Sequence, residues 1–191
     1  MTGHSRTVYF ATQNKGKFAE AALLTARYGN RMKPLPVEKL EIQSDDLKRI
    51  ASVAAQLAAE SSKHVVVAED AGFFVKALGG FPGPYSSYVF RTLGTRGILK
   101  LLEHVRDRRA SFKAVVAFCT PRTRPKCFAG SVEGVVSRQA LGEQGFGFDP
   151  IFIPRERSGR TFSQMSIEEK NALSHRAKAF RKFSQWYSTR I

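Results

Sequence analysis

Four consecutive apolar residues, Val65-Val66-Val67-Ala68, run straight into the acids Glu69-Asp70. An apolar run this short and β-branched, without alternation, predicts a strand covered on both faces. That is the signature of a central strand in a sheet with helices on either side. The preceding segment fits such a layer. Residues 45–62 place Leu47, Ile50, Ala51, Ala54, Leu57 and Ala58 on one helical face, and Asp45 or Ser44 can cap the start.

The rest of the chain keeps the same alternation. Residues 7–12 read as a buried strand and 15–28 as a helix stopped by Gly29-Asn30. A short connection and a strand around 37–42 follow. Residues 73–78 read as a further strand, and 79–84 (Gly-Gly-Phe-Pro-Gly-Pro) as a dense turn. Helices are expected over 85–93 and 96–105, separated by Gly94. Residues 111–119 and 126–137 form a hairpin joined through Pro121 and Pro125, and 142–149 a Gly-rich loop. Ser166 and Glu169 make a capping box for one C-terminal helix running to about residue 187. This order specifies an α/β protein with a mixed sheet. No repeat or low-complexity linker interrupts it, so residues 1–191 read as a single domain.

With 191 residues, one domain or two lobes sharing a core is expected. The 42% hydrophobic content excludes a wholly disordered chain. Two cysteines exclude a disulfide scaffold, and the four histidines lack metal-ligand spacing. Cys119 and Cys127 flank the predicted hairpin and are expected as free thiols. No apolar stretch approaches a membrane span or a signal-peptide core, so a cytoplasmic protein is expected. The net charge is +15. Residues 1–95 contribute +4 and residues 96–191 contribute +11. Such a field suits a nucleic acid, a small polyanion or solubility alone.

Five places could carry chemistry. Thr12-Gln13-Asn14-Lys15-Gly16-Lys17 joins a strand to a helix start, whose amides and dipole suit phosphate, or it is an exposed loop with two solvated lysines. Glu69-Asp70-Ala71-Gly72 directly follows a strand, where paired carboxylates suit Mg²⁺, or it is a turn with an Asp cap. Glu41 could add a third carboxylate. In Phe146-Gly147-Phe148-Asp149, an extended backbone would put both rings on one side as a slot for a flat base, with Asp149 accepting ring N–H donors. The alternative is two core phenylalanines. Finally, Lys170 and Ser174 share a helix face flanked by His175 and Arg176, either a polyphosphate contact or a solvated basic face.

Taken together, four blocks in order resemble the inosine triphosphate pyrophosphatase (XTP/dITP diphosphatase) family. They are residues 10–17, 68–72 leading into 77–86, 145–152, and 165–177. The resemblance implies a two-lobed, three-layer α/β fold with a long mixed sheet flanked by helices and the substrate in a cleft. It implies a homodimer that hydrolyses deaminated purine nucleoside triphosphates to monophosphate and pyrophosphate. Thr12, Asn14, Lys15, Gly16, Lys17, Ala71 and Lys170 would contact the triphosphate. Glu41 and Asp70 would hold Mg²⁺, with Asp70 as general base. Phe146, Gly147, Phe148, Asp149, His175 and Arg176 would form the base pocket, with Arg176 and the loop amides donating to the 6-oxo group. Neither a membrane nor a nucleic acid is expected as partner. Two positions depart from the usual pattern: Ala71 replaces a Ser or Thr, and Ser87 stands where one branch has Lys. Glu69 and the Phe-Pro-Gly-Pro-Tyr run are closer to archaeal and eukaryotic members. The alternatives are a pyrophosphatase for other modified nucleotides, and a basic nucleic-acid-binding module.

Overall fold

The computed structural model describes residues 7–35, 42–156 and 159–190. Its strands are β1 (Thr7–Phe10), β2 (Arg31–Pro34), β3 (Val66–Val75), β4 (Pro82–Gly83), β5 (Arg109–Cys119), β6 (Lys126–Val136) and β7 (Phe152–Pro154). Its helices are α1 (Lys15–Ala26), α2 (Leu47–Ser62), α3 (Ser86–Thr92), α4 (Gly94–Leu101), α5 (Ile167–Leu173) and α6 (His175–Ser188).

The strands form one sheet in the order β2-β1-β3-β5-β6-β7, with β4 paired to β3. β1 runs parallel to both β2 and β3, with Tyr9 opposite Val66 and Phe10 opposite Val67. Parallel neighbours require crossover connections, which α1 and α2 occupy. β4 and β7 are antiparallel to β3 and β6. The sheet is therefore mixed, as the sequence predicts. Val66, Val67 and Ala68 are completely buried.

The strand end expected before Glu69 is absent, and so is the alternative of a turn there. β3 continues for ten residues through Glu69 and Asp70 to Val75. Two effects sustain it. Glu69 is neutralised inside the protein by two cations, and Phe73 and Phe74 gain β4 as a second partner. The expected C-terminal helix is two helices. Ser174 is extended (ψ 158°) and ends α5 before α6 begins, so Lys170 lies on a different helix from His175 and Arg176. The capping box is present: Glu169 N–H donates to Ser166 Oγ at 3.2 Å, and Ser166 N–H donates to Glu169 Oε2 at 2.9 Å. Asp46, one residue beyond the expected cap, caps α2 through Lys48 N–H. The strand expected over 37–42 lies outside the described residues apart from Ile42. Both cysteines are free thiols.

Two compact units divide the chain. The first comprises residues 1–70, 114–130 and 176–191. Its core joins Val8, Phe10, Leu24, Ala51, Val67, Phe180 and Phe183, with the Phe10 and Phe180 rings edge-on at 5.5 Å. The second comprises residues 71–113 and 131–175, and centres on Phe73, Phe112, Phe148, Phe152 and Phe162. The divisions fall inside β3, β5 and β6, where no change of composition marks them. Among the described residues, no helix is long and apolar enough to cross a membrane.

Candidate active site

The first unit gathers candidate residues at the start of α1 and in the middle of β3. Asn14 caps α1, its Oδ1 accepting Lys17 N–H at 3.0 Å, while its own N–H donates to Thr12 Oγ1 at 3.2 Å. By helix geometry the N–H groups of Lys15 and Gly16 have no intrahelical acceptor, an arrangement of the kind that suits an anion. Lys15 is exposed. The Lys17 ammonium turns inward and lies 2.8 Å from Glu69 Oε2.

Arg176, at the start of α6, is 2% exposed. Its Nε donates to Glu69 Oε1 at 3.1 Å and its Nη1 donates to Glu20 Oε2 at 2.6 Å. Each of these charges would be costly to bury alone, and the fork geometry of guanidinium lets one cation serve two carboxylates. The expectation that Arg176 donates to a purine base therefore meets a guanidinium already engaged by two acids. Asp70 follows Glu69 on β3, on the opposite side of the strand, and is 7% exposed. Glu20 was not among the residues singled out from sequence. Its signal was an acid among Ala21, Leu24 and Thr25, the positions α1 buries.

The second unit gathers the other candidates. The segment 145–148 is turn rather than extended backbone, with Gly145 and Gly147 at φ 77° and 63°. The expected two-ring slot does not form. Phe148 is a core residue, stacked on Phe73 at 5.2 Å and edge-on to Phe90 at 5.5 Å. The turn instead closes on Asp149, whose Oδ2 accepts Phe146 N–H at 2.8 Å and Lys170 Nζ at 2.6 Å. A side chain at position 145 would collide with the Asp149 carboxylate, so this turn requires glycine on two counts. The Lys170 ammonium also lies 4.7 Å from the Phe146 ring and 5.5 Å from the Phe162 ring, favourable cation–π placements. His175 is buried and stacks on Phe112 at 4.8 Å. Ala71 is half-buried in β3, and Ser87 on α3 accepts Arg91 Nη1 at 2.8 Å.

Among the described residues, no group of three or more His, Cys, Asp or Glu is arranged to hold a metal. Glu41 lies outside the described residues. Mg²⁺ nevertheless fits the donor set, because it binds through one or two carboxylates completed by waters and substrate phosphates. Asp70 is a hard oxygen donor of that kind.

A sheet strand carrying buried acids, a helix start with free amides, and buried lysine and arginine side chains paired to carboxylates are set in an α/β fold. The chain belongs to the Ham1 family, whose model matches residues 8–186. It is 47% identical over 184 residues to a dITP/XTP pyrophosphatase of Methanopyrus kandleri, covering 96% of this chain and 97% of that one. It is 48% identical over 182 residues to one of Hyperthermus butylicus, covering 95% of each. Among solved structures, a HAM1 protein from Coxiella burnetii superposes with a TM-score of 0.85 at 29% identity, covering 96% of this chain and 99% of that one.

Proposed function

We propose that this chain hydrolyses deaminated purine nucleoside triphosphates, dITP and XTP among them, to the nucleoside monophosphate and pyrophosphate. The observation that carries this reading is the near-full-length likeness to relatives bearing that activity in their names. Water adds across the bond between the α- and β-phosphates. The Asp70 carboxylate takes the water's proton, and pyrophosphate leaves. The helix start at Thr12, Asn14, Lys15, Gly16 and Lys17 binds phosphate oxygens through amides and ammonium groups, with Ala71 contributing its backbone N–H and Lys170 a further charge. Arg176 acts by holding Glu69 and Glu20, and so fixes β3 next to Asp70. When bound, Mg²⁺ held by Asp70 and Glu41 neutralises charge on the phosphates.

Base choice follows from hydrogen bonding. Hypoxanthine and xanthine carry a 6-oxo acceptor, whereas adenine presents an amino donor. Backbone N–H groups of the turn at Phe146, Gly147, Phe148 and Asp149, with His175, would donate to that acceptor, the Asp149 carboxylate would accept a ring N–H, and adenine would leave donors unpaired. The enzyme is proposed to work as a homodimer in the cytoplasm.

The test is product analysis with dITP, XTP and dATP in the presence of Mg²⁺ or EDTA. The expected result is pyrophosphate rather than orthophosphate, with dATP slower by roughly 10²-fold or more, and loss of turnover in EDTA. Equal rates on dITP and dATP would overturn the specificity, and no pyrophosphate from any nucleotide would overturn the activity.

A further inference from the structure

Most of the positive charge after residue 96 lies outside the candidate site. Part of it converges on an open surface groove of about 430 Å³ in the second unit, lined by the exposed Arg96, Lys100, Glu103 and Arg138 and the half-buried Leu99 and Arg108. That volume lies in the range of small-molecule sites. Four cations face one carboxylate. None of Arg96, Lys100 and Arg138 forms an ion pair among the described residues.

Arg108 is the fixed floor. Its Nε donates to Val136 O at 2.8 Å, Nη1 to Leu102 O at 2.8 Å and Nη2 to Ser137 O at 2.6 Å. These bonds tie the end of α4 to the end of β6 and hold the backbone just before Arg138. A guanidinium has five N–H donors, so two remain. Burial, and to a lesser degree the Arg138 charge, push the Arg108 pKa down. Arg96 is the informative member. It occupies the first turn of α4, where the helix dipole disfavours a cation, and it stands four residues from the like-charged Lys100. Both effects weigh slightly against a cation there, and an anion in the groove would offset both.

We propose that this groove binds an oligophosphate anion, either inorganic or the phosphate tail of a nucleotide, at a site separate from the one that performs hydrolysis. Arg108 anchors the anion while Arg96, Lys100 and Arg138 close around it.

The experiment uses the full chain in EDTA, with inorganic tripolyphosphate and ATP as titrants in calorimetry. Arg96→Gln/Arg138→Gln is compared with Arg122→Gln/Arg124→Gln, which removes the same charge from the exposed β5–β6 turn. The expected result is at least a tenfold weakening of one class of site in the first variant only. Circular dichroism and dITP turnover with Mg²⁺ should be unchanged in both. Equal binding by tripolyphosphate and ATP identifies the phosphate tail as the ligand, and tighter ATP binding extends the ligand to the nucleotide. Unchanged binding in the first variant, or equal weakening in both, overturns the proposal. So does a first variant that loses affinity for a single-stranded oligonucleotide while keeping it for tripolyphosphate.

Discussion

The Lys170 ammonium and the Asp149 carboxylate meet at 2.6 Å with both side chains almost wholly buried. The pair joins α5 to the glycine turn before β7, and Phe146 N–H shares the same carboxylate oxygen. Removing one partner leaves the other as an unmatched buried charge. Asp149→Asn should therefore destabilise the protein by about 3–5 kcal/mol, read from the midpoint of urea unfolding. Asp149→Leu/Lys170→Met should recover much of that loss, since both charges go together. A single variant as stable as the parent would show the pair to be incidental.

Arg176 is the second buried hub. Arg176→Lys keeps the charge and loses the fork, so an ammonium at that position cannot serve Glu20 and Glu69 with the same geometry. The expected loss is about 1–3 kcal/mol, the usual penalty for a buried polar group left short of a partner. Equilibrium unfolding would measure it. A neutral result would mean that the two acids find other partners.

Asp70 is assigned the proton of the attacking water. Asp70→Asn preserves shape while replacing one acceptor oxygen by an amide donor and removing the base. Turnover should fall by roughly 10²–10⁴-fold, with the melting temperature close to the parent's. Full activity in that variant would assign the base elsewhere.

Gly72 on β3 faces Gly83 on β4 at very short range: a side-chain carbon there would stand 2.5 Å from the Gly83 carbonyl oxygen. The obstacle is backbone and cannot rotate away. Gly72→Ala should lose about 1–3 kcal/mol, as overpacked sites do, and thermal unfolding would register it. An unshifted melting curve would mean that β4 moves aside freely.

The two thiols should differ in reactivity. Cys119 is buried at the end of β5, and burial pushes its pKa up, so the reactive thiolate is scarce at neutral pH. Cys127 is half-buried beside Ser52, with Oγ and Sγ 3.1 Å apart. Alkylation of the unreduced native protein should modify Cys127 first, and Cys119 only slowly until pH is raised or the chain unfolds. Finding Cys119 faster, or neither thiol available in denaturant, would contradict this.

How much of this was legible in advance depended on whether a feature was local. The buried run at Val66–Ala68, the Ser166–Glu169 capping box and the β5–β6 hairpin are written in neighbouring residues, and all three stand as expected. The continuation of β3 through Glu69 was not, because it depends on Lys17 and on Arg176, 107 residues away in the chain. Propensity places two adjacent acids in a turn, and only distant cations let them remain in a sheet. The two-ring slot expected of Phe146 and Phe148 did not form for a similar reason, and Phe148 took the core place that was the alternative. Their spacing suits an extended slot, but the glycines at 145 and 147 take positive φ and send the second ring into the core. The break at Ser174 carried no glycine or proline to announce it. Glu20 was visible only as an acid on a buried helix face.

The boundaries between the two units fall at peptide bonds 70–71 and 175–176, inside two of the blocks that identify the family, and twice more within paired strands. Neither unit is therefore a cassette. No single cut releases either one as a continuous piece, and exchanging one with a relative would mean severing sequence between Asp70 and Ala71 and between His175 and Arg176. Such an architecture resists domain shuffling. It leaves variation to individual substitutions rather than to recombined parts.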